Sequence, residues 1–297
     1  MFIIKYKKIF LILSIVMVVI SVLFIGVFGL KLGIEFKGGA LTEITYKNSR
    51  PIQTELEPLL KPLGFGSLLL QPTGELGYII KSRDLDNAEH ALLLKTLSLG
   101  ENTATEVSFN SIGPSVGSEL ARKSIFSIIF VVIAIIIFIT FAFRKVSQPV
   151  KSWKYGVITV ITLLHDIIIP AGIFAFISHY TGAEVETLFV LALLTILGLS
   201  VHDKIVVFDR IRENLRAGTK QTFAETVGRS TSQTIVRSIN ITLTIIFVLV
   251  PLYLFGPATT KDFALILTIG LFFGIYSSLF FASPLLVLVE EWQKKKK

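Results

Sequence analysis

The sequence predicts a polytopic α-helical membrane protein of six transmembrane helices, with one α+β ferredoxin-like domain inserted after the first helix. Three observations predict this. Of 297 residues, 52% are hydrophobic and 17% charged, whereas an average soluble domain carries roughly 25% charged residues. Six segments are apolar over about 20 residues, the length that spans a bilayer: 9–30, 124–143, 155–178, 187–208, 235–255 and 263–289. Between the first two, residues 31–121 hold no such segment and carry 11 acidic against 8 basic residues. The implied domains are an N-terminal anchor (1–30), an α/β domain (31–121) and a five-helix membrane domain (122–297).

The first span follows Lys5, Lys7 and Lys8, as a signal peptide would. Its apolar core is too long for one, and no small-x-small cleavage site precedes GLKLG (29–33), so it reads as an uncleaved anchor. Orientation follows from the basic residues of the short loops. Segments 1–8, 144–154, 209–234 and 290–297 hold 16 Lys/Arg, whereas 179–186 and 256–262 hold only Lys261. Both termini are therefore expected in the cytoplasm of a bacterial cell, with 31–121 exterior to its cytoplasmic membrane. The net charge of +8 fits this asymmetry and a partnership with anionic headgroups of the lipid bilayer. Nucleic acid is not an expected partner, because no basic patch is interleaved with exposed aromatics. The absence of cysteine excludes disulfides and thiolate metal sites.

Within the exterior domain, ALTEITYK (40–47) alternates, with Ala40, Thr42, Ile44 and Tyr46 on one side of a strand. PIQTELEPLLK (51–61) is weakly helical. SLLLQ (67–71), the turn PTGE and LGYIIK (76–81) form a hairpin. Asp84 is placed to cap a helix with Asp86 and Glu89 in its first turn and Leu85, Ala88, Leu92 and Leu99 at helical spacing. ATEVSFNSI (104–112) closes the domain as a strand with Thr105, Val107 and Phe109 on one face. The order is that of the split βαβ pattern. Gly38-Gly39 precedes a strand rather than a helix, so it reads as a bulge or close backbone approach and not as a phosphate cradle. GPSVG (113–117) reads as a kinked tether to the second span.

The chemistry lies in charges within the spans. Asp203 sits six residues in from Asp209, about 9 Å along a helix. A lone carboxylate at such depth costs about 2.5–3.5 kcal/mol on the lenient insertion scale, so it must be protonated, paired or wetted. Lys204 points about 100° away and can snorkel to the headgroups. Arg237 lies six residues inside the fifth span, and the fourth and fifth spans are antiparallel, which puts Asp203 and Arg237 at matching depth. Thr234, Ser238, Asn240, Thr242 and Thr244 form a polar stripe around Arg237. Asp166 lies in the third span beside His165. Two readings stand: a buried Asp–Arg pair that orients helices, or an ion or proton relay. His165 and His202 read as packing or hydrogen-bonding groups, since their spacing is not that of a metal site. Gly270, Gly274, Ser278 and Ala282 form a small-xxx-small seam in the sixth span, facing another span or another subunit.

FKGG (36–39), GPSVG, LHD (164–166), VHDKIVVFDRIREN (201–214), TIVRS (234–238) and YLFG (253–256) together resemble the SecD/SecF family, related to the resistance-nodulation-division (RND) superfamily. The resemblance covers essentially the whole chain and is most specific in the cytoplasmic motif Asp209, Arg210, Arg212, Glu213 and Asn214. It implies half of an RND-type unit, completed by a SecD subunit, that assists the Sec translocon channel and its accessory subunits. The implied action uses the proton-motive force to promote translocation and release of unfolded preproteins. It assigns the proton relay to Asp203 and Arg237, with Asp166, His165, His202 and Thr242 as auxiliary groups. His202 stands where the family usually has Asn, and Lys204 where a small residue is usual. No enzyme, cofactor or metal is implied. The rival expectations are an RND-type exporter of small molecules or lipids and a scaffold of the translocon that uses no ion.

Overall fold

Burial sorts the long helices into a centre and a periphery. The computed structural model describes residues 2–66, 68–100, 102–142, 150–218 and 221–295. Met1, Ser67 of the expected strand 67–71, Glu101, Phe143 at the end of the second span, residues 144–149, Thr219, Lys220 and Lys296–Lys297 lie outside the described residues. Among the described residues, six helices are long and apolar enough to cross a membrane. They are α1 (Lys7–Phe28), α4 (Pro114–Ala142), α5 (Ser152–Thr181), α6 (Thr187–Arg216), α7 (Phe223–Phe255) and a last span built from α8 (Ala258–Tyr276), a π-helical segment (Ser277–Ala282) and α9 (Ser283–Lys295). More than half of the most apolar window of α5 and of α6 is buried, against 6% in α4. The chain divides into a helical unit (1–31, 127–183 and 188–297) and an α/β unit (32–126 and 184–187).

In the helical unit the core gathers Tyr155, Ile158, Leu163, Leu197, Val207, Phe208, Leu279 and Leu286 from α5, α6 and the last span. Where α1 meets α5, Gly172 lies so close to Ser21 that a Cβ could not fit. Both helices of the α6–α7 hairpin outlast their apolar stretches. α7 starts at a capping box of Thr222 and Glu225, eight residues ahead of the expected start near Thr231. The link between the two helices is correspondingly short, not the expected 20 residues.

The α/β unit runs β1 (Gly39–Tyr46), α2 (Gln53–Leu60), β2 (Leu69–Thr73), β3 (Gly77–Ser82), α3 (Asn87–Leu97) and β4 (Ala104–Ile112). All pairings are antiparallel, in the order β2-β3-β1-β4. The β1 residues expected on one side, Ala40, Thr42, Ile44 and Tyr46, are all buried, and they face Leu56, Leu60, Leu93 and Leu97 of the two helices. Tyr46 donates a hydrogen bond to the Leu97 carbonyl at 3.0 Å, and burial pushes its hydroxyl up to about 12. Two local expectations are corrected. The helix cap is Asp86, not Asp84: Asp86 accepts from the Glu89 N–H at 2.8 Å while Glu89 accepts from the Asp86 N–H at 3.2 Å. On β4, Thr105, Val107 and Phe109 do not share one face. The register with β1 shifts between Glu43 and Ile44, which pair with Ser108 and Glu106, so Val107 is the extra residue of a β-bulge and is exposed, while Phe109 lies opposite Thr42 and Thr105 opposite Thr45.

GPSVG is not a kinked tether. Pro114 begins α4, where a missing N–H costs nothing, and the helix continues to Ala142. This turn is packed against the glycine pair. Gly38 has φ +82°, and a Cβ there would lie 2.7 Å from Pro114 Cα; one on Gly117 would lie 2.8 Å from the Gly38 nitrogen. Glycines at both places let two backbones cross without side chains between them. The unit also takes in the link between α5 and α6. Leu32 and Val185 form a parallel bridge, the Gly33 N–H donates to the Val185 carbonyl at 2.9 Å, and Lys81 Nζ lies 2.7 Å from Glu184 Oε2.

Candidate functional site

Two charged sites sit back to back on α6. Successive residues of a helix point about 100° apart, so Asp203 and Lys204 face different neighbours. Lys204 does not snorkel. Its side chain has no exposed surface, and Nζ lies 2.6 Å from Asp166 Oδ2 on α5. It also donates to Ser200 Oγ and, at 3.2 Å, to Ser277 Oγ at the start of the π-helical segment. Asp166 in turn accepts from the Ser200 hydroxyl, and His165 Nδ1 lies 3.0 Å from its other oxygen. The His165 ring lies near those of Tyr276 and Phe281, and its buried Nε2 has no partner among the described residues. Both oxygens of Asp166 and the Lys204 ammonium are thus hydrogen-bonded, as a charge pair removed from water requires. The wider turn at Ser277–Ala282 brings Ser277 into the network, in keeping with the tendency of π-helical turns to fall at functional sites.

Asp203 is treated differently. It is 7% exposed, and its one hydrogen bond among the described residues comes from the Ser238 hydroxyl on α7 at a long 3.4 Å. The expected ion pair with Arg237 is not formed. The depth match itself is sound, since Asp203 meets the very next residue, Ser238. A helix neighbour is turned by 100°, however, and Arg237 points outward, exposed on the surface of this chain. Asp203 lines a recess with His202, Thr242, Ile241, Gly270 and Gly274. Water-sized spheres can be centred over about 20 Å³ of it, and about 10–15 Å³ suffices for one water.

The motif of Asp209, Arg210, Arg212, Glu213 and Asn214 clamps the α6–α7 hairpin. Arg210 Nε donates to Gln233 Oε1 at 2.7 Å and Nη1 to Glu213 at 2.6 Å. Asn214 Nδ2 donates to Ser230 Oγ at 2.8 Å and to Gln233 Oε1 at 2.9 Å, while Arg212 pairs with Asp209. The small-residue seam is also internal. A Cβ on Gly270 would overlap the Ile196 side chain of α6, whereas one on Gly274 would make an ordinary 3.6 Å contact with Ser200 Oγ. Ser278 is fully buried. The seam brings the last span onto the two charged sites of α6, so it does not need another subunit to explain it.

The glycine pair that meets Pro114 falls in residues 23–49, which match the family model for the SecD/SecF GG motif. Residues 94–292, which hold both charged sites, match the model for the C-terminal part of the protein export membrane proteins SecD/SecF. The chain belongs to the SecD/SecF family. Within that family it is similar to the protein translocase subunit SecF of Thermobaculum terrenum, 38% identical over 306 residues that cover 99% of this chain and 94% of the relative. The SecF of Anaerolinea thermophila is 36% identical, covering 97% and 94%. Among solved structures the chain is similar to SecDF, a translocon-associated membrane protein from Thermus thermophilus. The TM-score is 0.83 at 26% identity, over 97% of this chain and 38% of that one. It is also similar to SecDF in a super-membrane-facing form, with a TM-score of 0.71 at 28% identity over 99% and 39%. The chain therefore spans well under half the length of each SecDF chain.

Proposed function

We propose that this chain is the smaller subunit of a SecD/SecF-type pair that helps the Sec translocon move unfolded preproteins across the bacterial cytoplasmic membrane, drawing on the proton-motive force. Asp203 is the carboxylate that takes and releases the proton. The observation that carries the reading is the contrast on α6: one intramembrane charge is fully compensated, and its neighbour is held by a single long hydrogen bond beside a water-sized recess. A carboxylate left this way can change charge without dismantling the bundle. Loading it alters the attraction to the Ser238–Arg237 turn, so α6 and α7 can repack. A charge crossing about 100 mV releases roughly 2.3 kcal/mol, enough to shift a two-state equilibrium about fiftyfold.

The basic residues concentrated in alternate loops support an orientation with both termini on the cytoplasmic side and the α/β unit outside. A SecD-type subunit is the expected partner. The apolar surfaces of α4 and α7, which this chain leaves uncovered, give it a place to pack or else face lipid. The test is preprotein movement driven by an ion gradient after nucleotide hydrolysis has stopped. Asp203→Asn keeps volume and hydrogen bonding but cannot take up a proton, and should remove gradient-driven movement while the complex stays assembled. A wild-type rate in this variant would replace the coupling reading with that of an ion-independent scaffold.

A further inference from the structure

The ammonium of Lys204 is held as a small inorganic cation is held, by a shell of oxygens. Four are within reach: Asp166 Oδ2 at 2.6 Å, Ser200 Oγ, Ser277 Oγ at 3.2 Å and the Ser200 carbonyl at 3.5 Å. They come from α5, α6 and the π-helical turn, and Asp166, Ser200 and Ser277 are all buried. A carboxylate, hydroxyls and a carbonyl make up an oxygen donor set of the kind that suits hard cations, and carbonyl oxygens replace the hydration shell of potassium in channels. Charge fixes the valence. Asp166 carries the shell's one negative charge, so a single positive charge leaves it neutral, whereas a divalent ion would bury a net charge without a partner. The His165 ring does not compete for the place, because its Nδ1 lies 3.0 Å from the other carboxylate oxygen, Oδ1. Oxygen is even left over: Ser278, next to Ser277, is fully buried and its hydroxyl has no partner among the described residues.

We propose that Asp166, Ser200 and Ser277 form a site for a small monovalent cation, and that Lys204 is its permanent, tethered occupant. A free ion in this place would bind by mass action and leave as its concentration fell, loosening three helices each time. An ammonium on its own stem stays at high effective concentration whatever the medium holds. The tether thus fastens α5, α6 and the last span independently of the surrounding salts, one residue away from Asp203. Lysine suits the role where arginine would not. Its ammonium is a compact point charge with three donors rather than a planar fork, and here the whole side chain is without exposed surface.

Cutting the side chain back opens the shell to ions, since Ser200 also lines the water-sized recess beside Asp203. Lys204→Ala and, separately, Lys204→Ser would be purified in the full complex, and thermal unfolding followed in detergent. Each would be titrated with sodium, potassium or methylammonium chloride, with choline chloride, too bulky for the shell, keeping ionic strength constant. The expected result is a rise in the unfolding midpoint that saturates with at least one of the three small cations and exceeds any rise in the unaltered chain. The cation that acts names the preferred free occupant. Lys204→Met, which refills the space with an apolar stem, and Lys204→Ala joined to Asp166→Asn should lack the rise. Midpoints that do not distinguish the small cations from choline, or an equal rise in either of those two controls, overturn the proposal. Failure of both single variants to assemble in cells overturns it as well, because cellular potassium would fill such a site during folding.

Discussion

Asp203 and Lys204 are joined by one peptide bond and face opposite solutions to the same problem. Around Lys204, two helices and a π-helical turn supply a carboxylate and two hydroxyls. Around Asp203, one hydroxyl at 3.4 Å is all the described structure offers. Both groups are in a segment apolar enough to span a membrane. The difference teaches that intramembrane charge is not in itself a sign of transport. A charge whose partners are complete fastens helices, and the one left short of partners is free to change state.

The comparison breaks first at Lys204. Lys204→Met strands Asp166 in the bundle without its counter-ion, and removing one member of a buried pair costs about 3–5 kcal/mol. The double change with Asp166→Asn should recover most of the loss, read as resistance to unfolding in detergent. Additive losses in that double-mutant cycle would show that the pair does not act as a unit. Next comes Gly270→Leu, which forces side-chain volume onto Ile196 and should cost about 1–3 kcal/mol. Gly274→Ala, with its 3.6 Å clearance, should be near neutral, and equal losses at the two would mean α8 is not held against α6 as described. Arg237→Ala and Asp203→Asn should each move stability by no more than about 1 kcal/mol, the scale of surface and conservative changes, while abolishing gradient-driven translocation. A loss at Arg237 as large as that at Lys204 would restore the direct pair with Asp203. The smallest effect comes from outside the bundle and sharpens any alkaline comparison. The Tyr46 hydroxyl is raised from 10.0 to about 12, so between those values the unfolded chain loses a proton that the folded one keeps. Stability contributed by the neutral hydroxyl is complete below pH 10 and falls as pH rises toward 12; Tyr46→Phe should flatten that slope in thermal unfolding of the whole chain.

Most of the fold was legible because it is written in periodicity. The apolar stretches gave the spans, and the alternation of Ala40, Thr42, Ile44 and Tyr46 gave the buried face of β1. What escaped was continuation and partnership. Apolarity ends at the membrane surface whereas helix does not, so α4, α6 and α7 all outran their spans. The site was half legible. Depth counting from the α6–α7 link found Asp203 and its neighbourhood on α7, but a one-residue offset turns a side chain by 100°, and no depth count can tell Arg237 from Ser238. The Asp166–Lys204 pair carried the same kind of signal. Counted back from Gly182, Asp166 is 16 residues in, and counted on from Thr187, Lys204 is 17 in. Reading Lys204 as a residue that could snorkel hid the match. Ser200 and Ser277 left no signal at all, since a serine in an apolar span reads the same whether it bonds its own backbone or a buried ammonium.

The short link at Glu184–Thr187 imposes an order of events on the newborn chain. Its partners Leu32, Gly33 and Lys81 leave the ribosome long before it does. From Gly117, where the glycine crossing closes, 70 further residues must be made before Thr187 emerges (187 − 117), roughly 4–14 s at 5–20 residues per second. During that interval α4 and α5 must be put in place while the sheet waits with Lys81 unpaired. Completion of the α/β unit is thus held hostage to correct placement of two later helices, and a chain that misplaces either one cannot finish it.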